Sequence, residues 1–129
     1  MWDERYDTEE YVYGTEPNDF LVSVTDRIPR GGKVLSLGEG EGRNAAWLAG
    51  RGYRVTGVDL SSVGLRKAER LAVAQGARIE TEVADLAEYQ IQQDEWDVII
   101  SFFSHMPPDV RRKIFAQVLR GLKPGGVFI

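Results

Sequence analysis

Along most of this chain, short unbroken apolar runs alternate with longer stretches whose apolar residues recur every three or four positions. The first pattern predicts buried strands and the second amphipathic helices. The earliest helical stretch opens at Pro17 and carries Phe20, Leu21, Val24 and Ile28 at helical steps. Proline suits a first turn, and Pro29, Gly31 and Gly32 end the pattern. The order is regular from there. Residues 33–37 (KVLSL) predict a buried strand, 38–42 a glycine loop, and 43–51 a helix stopped by Gly52. Residues 54–58 (RVTGV) predict a second strand, closed by Asp59. Ser61 and Ser62 are candidate N-caps for a helix running to Gln75, with Leu65, Ala68, Leu71 and Ala72 on one face and Gly76 as its stop. A third strand is expected over 78–84, ended by Asp85, and a fourth, the most apolar, over 96–103 (WDVIISFF). Pro108 and Asp109 open a last helix with Val110, Ile114, Phe115, Val118, Leu119 and Leu122 on one side. Residues 123–126 (KPGG) read as a turn, and 127–129 as the start of a fifth strand.

Strands alternating with helices imply parallel βαβ units, and apolar strands imply a sheet covered on both faces. The expected fold is therefore α/β, with a doubly wound, mostly parallel sheet. Two regions are expected. Residues 1–32 form an N-terminal aromatic arm and lid helix, and residues 33–129 a ligand-binding domain. In the arm, Trp2, Tyr6, Tyr11 and Tyr13 stand among acids without a clean period. Such a flap either packs on its own core or lays aromatics on a ligand. In doubly wound sheets, ligands bind beyond the carboxyl ends of the strands. That rule selects residues 38–42, Asp59, Asp85 and 102–106.

Composition narrows the function. The 129 residues are 43% apolar and 28% charged, an ordinary globular balance. A net charge of −4 argues against nucleic acid or an anionic membrane as the main partner. There is no cysteine and one histidine, His105, so thiolate and multi-histidine metal sites are excluded. No apolar run reaches the roughly 18 residues of a membrane span. The acidic N-terminus is not a signal peptide, so a soluble, cytoplasmic protein is expected.

The glycine loop carries the first chemistry. A G-x-G turn between strand and helix lets a ligand approach the backbone closely. A dinucleotide fingerprint would place its third glycine at position 43, but that residue is Arg43 and the glycine is Gly42. Glu39 and Glu41 occupy the intervening positions. They would repel a pyrophosphate and favour a cationic ligand, or they complement the positive end of the following helix. Asp59 stands where a carboxylate accepts both hydroxyls of a ribose; it also suits a helix cap near Ser61. Asp85 suits either an exocyclic purine amine or a loop cap. Together these positions describe a nucleoside with a cationic tail. A nicotinamide-dinucleotide-binding oxidoreductase fragment is the alternative.

These residues resemble the class I methyltransferases that use S-adenosylmethionine. VLSLGEGEGRNAAWLA (34–49) resembles their first motif, VTGVDLS (55–61) the second-strand acid motif, and ADL (84–86) the adenine-contacting motif. WDVIISFFSHMP (96–107) and LKPGGVFI (122–129) resemble the fourth- and fifth-strand motifs. The resemblance implies a Rossmann-like fold and S-adenosyl-L-methionine as cofactor. The cofactor site is expected to comprise Tyr6, Leu37, Gly38, Glu39, Gly40, Asp59, Leu60, Asp85, Leu86 and Phe102. Gly38 and Gly40 would offer carbonyls to the methionine ammonium, Asp59 would hold the ribose, and Asp85 and Leu86 the adenine. Leu37 and Phe102 would line the slot. WDERYDTEEYVYGTEPNDFL (2–21) and the GEGEGRNA loop resemble the tellurite-resistance and thiopurine methyltransferase branch, in which an aromatic matching Tyr6 closes over the cofactor.

Ser36 departs from the family, whose strand commonly has an acid there, and Glu39 stands where Cys is frequent. The family also continues past the fifth strand with a helix and two strands. The chain is thus expected to lack the usual last strands and one wall of the acceptor pocket, and to self-associate through its C-terminal edge. The expected acceptor is a small molecule, a thiol or a selenium or tellurium species, for which a base is optional. His105 is the candidate catalytic residue; it equally suits a loop histidine capping a carbonyl. A catalytically silent cofactor-binding module is the remaining alternative.

Overall fold

A computed structural model of the chain describes residues 19–24, 31–38, 42–101 and 107–129. The elements are α1 (Asp19–Val24), β1 (Lys33–Leu37), α2 (Arg43–Gly50), β2 (Arg54–Asp59), α3 (Ser62–Ala74), β3 (Glu80–Val83), β4 (Trp96–Ile100), α4 (Pro108–Gly121) and β5 (Leu122–Phe128). The five strands form one sheet in the order β3-β2-β1-β4-β5. Every neighbouring pair is parallel. The chain winds outward from β1 to β3, crosses over, and winds outward again through β4 and β5. This is the doubly wound α/β sheet that the alternating pattern predicts, and all strand carboxyl ends fall on one edge.

Strand alternation sorts the core into two halves. Val34, Val55, Val98 and Ile100 pack on one face with Ala45 and Leu48 of α2 and Leu21 of α1. Leu35, Leu37, Val58 and Ile99 pack on the other with Ile114 and Val118 of α4. The α3 face expected from sequence is present: Leu65, Ala68, Leu71 and Ala72 are all buried. Ser61 is its N-cap, with Oγ accepting the Gly64 N–H at 3.0 Å.

Element boundaries differ from the sequence reading in three places. The third strand is shorter than expected, because β3 lies at the sheet's edge among the described residues and pairs only with β2. The fourth ends at Ile100 within the described residues. The fifth begins before the expected turn: Leu122 already faces Trp96, the ladder slips, and Val127 resumes opposite Val98. The KPGG segment is thus a bulge inside β5. Gly126 is required there, since a Cβ would stand 2.9 Å from the Lys123 carbonyl oxygen.

The expected core face of α4 is only half buried. Ile114 and Val118 are buried, whereas Phe115 and Leu119 are 41% and 79% exposed. A helix lying on a sheet buries one stripe, and Phe115 and Leu119 fall beside it.

Candidate functional site

The site is the crown formed by the carboxyl ends of β1, β2 and β3. Parallel register puts Leu37 beside Val58 and Asp59 beside Val83. Three strand ends therefore open side by side.

At the first end, the Leu37 side chain is 1% exposed and packs with Val58 and Ile114. The structure thus places Leu37 in the core beneath the crown, not on its surface, because its alternation phase points it at α4. Gly38 turns the chain out at φ 68, while its N–H still donates to the Val58 carbonyl at 2.8 Å. Gly42 is the N-cap of α2 at φ 92, and its carbonyl accepts the Ala46 N–H at 2.8 Å. A Cβ on Gly42 would run into Ala68, reaching its Cα at 2.5 Å. The close approach of α2 to α3 therefore requires glycine at 42, which leaves position 43 to Arg.

At the second end, Asp59 Oδ1 accepts the Ser61 N–H at 2.9 Å. The helix cap is Ser61, so Asp59 is not the cap of α3; it shapes the approach to it. A carboxylate has room for about four hydrogen bonds. Leu60 beside it is 59% exposed, an apolar side chain standing open at the crown.

At the third end, residues 84–89 form a tight turn. The Ala84 N–H donates to the Asp59 carbonyl at 2.9 Å. The Asp85 carbonyl accepts both the Glu88 and Tyr89 N–H groups, each at 2.9 Å, and Asp85 Oδ1 accepts the Ala87 N–H at 2.9 Å. Among the described residues, Asp85 Oδ2 accepts no hydrogen bond. Leu86 is half-buried against the α4 side of the core. Burial, with the charge and hydrogen-bonding of Glu82, pushes the Tyr89 hydroxyl up to about 12.

Sequence reasoning missed what holds this turn. Gln117 of α4 is 8% exposed. Its Oε1 accepts the Ile91 N–H at 2.7 Å and its Nε2 donates to the Tyr89 carbonyl at 3.1 Å. Lys113 Nζ donates to the Ala87 carbonyl at 3.0 Å. A polar residue inside an apolar helical stripe was the available signal. Of the expected site residues, the structure brings together Gly38, Asp59, Leu60, Asp85 and Leu86, with Leu37 below them. Tyr6, Glu39, Gly40, Phe102 and His105 lie outside the described residues.

The crown suits an adenosine-type ligand with a cationic tail. It presents the Gly38 turn, carboxylates at neighbouring strand ends, an Asp85 oxygen without a partner among the described residues and an open apolar side chain at Leu60. Fold and crown together define a Rossmann-like nucleoside-binding domain. Residues 34–126 match the family described as methyltransferase domain, and the chain belongs to that family.

Phosphoethanolamine N-methyltransferase 2 of Caenorhabditis elegans is 34% identical over 117 residues, which cover 88% of this chain and 26% of that protein. A structure concerned with the conversion of a disulfide bond into a thioacetal group during echinomycin biosynthesis aligns with a TM-score of 0.76 and 31% identity, over 88% of this chain and 48% of that one. A TehB-like SAM-dependent methyltransferase from Corynebacterium glutamicum aligns with a TM-score of 0.69 and 27% identity, over 81% of this chain and 56% of that one. The chain thus spans between a quarter and little more than half of the length of these relatives.

Proposed function

We propose that this chain binds S-adenosylmethionine at the crown of β1, β2 and β3, and serves methyl transfer to a small, soft acceptor such as a thiol or a selenium or tellurium species. The observation that carries the cofactor is the meeting of Gly38, Asp59 with Leu60, and Asp85 with Leu86 on three adjacent strand ends. Asp59 takes the ribose hydroxyls. Asp85 receives the adenine amine, with Leu86 and Leu60 against the base. The glycine loop receives the cationic amino acid end. When bound, the cofactor would supply a sulfonium methyl group: an acceptor lone pair would bond to its carbon as the C–S bond breaks in line, the electron pair staying with sulfur and S-adenosylhomocysteine leaving. The chain's part is to align donor and acceptor and exclude water, which contributes about 7–11 kcal/mol in well-oriented cases.

The soft acceptor is supported by the likeness of residues 2–21 and the glycine loop to the tellurite-resistance branch, and by the TehB-like structural relative. The echinomycin-related structure concerns sulfur chemistry as well. Against it stands the nematode relative, named for a nitrogen acceptor. Tyr6 over the cofactor rests on the sequence resemblance, and His105 near the acceptor on its place in the sequence after the fourth strand.

Calorimetry tests the cofactor. S-adenosylhomocysteine is expected to bind and NAD to give no heat; equal or tighter NAD binding overturns the reading. Asp59→Asn keeps an oxygen for the Ser61 N–H but removes the charge. Charge-assisted hydrogen bonds contribute about 1.5–3 kcal/mol each, so affinity should fall at least about tenfold with little change in the unliganded melting temperature. Unchanged affinity would remove Asp59 from the site.

A further inference from the structure

We propose that Gln117 is a positioning residue for adenine recognition, holding from α4 the turn that aims Asp85. The inference rests on the reading that Asp85 meets the adenine amine. The hydrogen bonds within residues 85–89 fix the shape of that turn but not where it stands. Its place is set from outside. Toward β3, the Ala84 N–H is tied to the Asp59 carbonyl. Beyond the turn, Gln117 grips both the Tyr89 carbonyl and the Ile91 N–H.

A primary amide carries a donor and an acceptor in one rigid plane. It can therefore pair with a strip of backbone as a neighbouring strand would. Lys113, one helical turn earlier, adds a third tie at the Ala87 carbonyl. Beneath them Ile91 packs with Ile114 and Val118, so the clamp is anchored on the sheet's own core.

The position otherwise calls for an apolar side chain, since a buried amide is unfavourable unless every polar atom is paired. Here both are paired, and both to the segment that follows Asp85. Asp85 itself uses Oδ1 within the turn and leaves Oδ2 open among the described residues. Hydrogen bonds weaken steeply with angle, so recognition of an amine by that oxygen depends on where the turn is held.

The test compares S-adenosylhomocysteine with its analogue bearing hypoxanthine, in which a carbonyl oxygen replaces the adenine amine. The unaltered protein is expected to prefer adenine by about tenfold or more. Asp85→Ala should abolish the preference; if it does not, the adenine reading itself fails and the inference falls with it. Gln117→Leu should bring the preference close to unity, with affinity for the hypoxanthine analogue kept within about twofold. A loss of affinity shared equally by both ligands would mark a merely structural role and overturn the inference. So would a preference that Asp85→Ala removes and Gln117→Leu leaves intact. Should Gln117→Leu not fold, Gln117→Glu decides. It keeps the acceptor for Ile91 and loses the donor to Tyr89, and must lower the preference at least about threefold; no change overturns the proposal.

Discussion

Tyr89 shows how a residue that sequence reading passed over acquires a measurable property from its place. It follows the Asp85 turn, half-buried against the α4 side of the core, with Glu82 and Glu95 near. Removal from water and then these carboxylates push its hydroxyl up to about 12, from an ordinary value of 10.0. The folded chain therefore favours the neutral phenol. That contribution to stability is complete below about pH 10 and is lost as the pH climbs toward about 12. Tyr89→Phe has no such proton to lose. Urea denaturation of both proteins across this window should show a shallower decline for the variant. Parallel curves would mean that the phenol is as well solvated folded as unfolded. The acids at 59 and 85 were legible because each closes a predicted strand. Gln117 was not, since its partners at 89 and 91 lie far from it along the chain and meet it only once α4 docks.

At the scale of elements, periodicity carried most of the fold. The strands and the α3 face followed from apolar spacing, and α3 is capped at Ser61 as its sequence suggests. Local spacing could not show how far a helix sinks into its sheet, so Phe115 and Leu119 were expected inside and stand exposed. Nor could it show that KPGG interrupts a strand instead of preceding one. Gly38 and Gly42 were legible as the stop of β1 and the start of α2, while the reason for Gly42 is tertiary. Gly42 and Gly52 have nearly the same backbone, φ 92 and φ 93. A Cβ at Gly52 meets nothing within 4 Å, whereas one at Gly42 meets α3. Gly52→Ala should therefore cost about 1–2 kcal/mol of left-handed strain alone. Gly42→Ala adds overpacking of about 1–3 kcal/mol and should loosen the α2–α3 contact. Equal losses for the two variants in denaturant titrations would refute the packing account.

Among the described residues the sheet has two unlike ends and one exposed flank. At the amino ends of the strands, charges are matched. Lys33 Nζ lies 2.7 Å from Glu95 and 5.3 Å from the Trp96 ring, and Asp97 accepts the Lys33 N–H at 2.8 Å with Lys123 at 3.4 Å. At the carboxyl ends, Asp85 keeps an oxygen without a partner among the described residues. Matched charge at one end and open acceptor capacity at the other are what a sheet with a ligand-binding crown requires. The exposed flank is the outer side of α4 and β5. Phe115 packs edge-on against Phe128 at 5.5 Å, yet both remain about two-fifths exposed, and Leu119, one turn along the same helix face, is 79% exposed. Beside them β5 is the outermost strand of the sheet among the described residues. An apolar patch next to a strand edge that no described residue pairs favours association of like chains. Light scattering of this 129-residue chain is therefore expected to show mass rising with concentration. Leu119 contributes little to the core, so Leu119→Lys should shift the chain toward monomer while changing stability by no more than about 0.5 kcal/mol. A monomer at every concentration, or association that Leu119→Lys does not weaken, would show that this flank does not drive contact between copies.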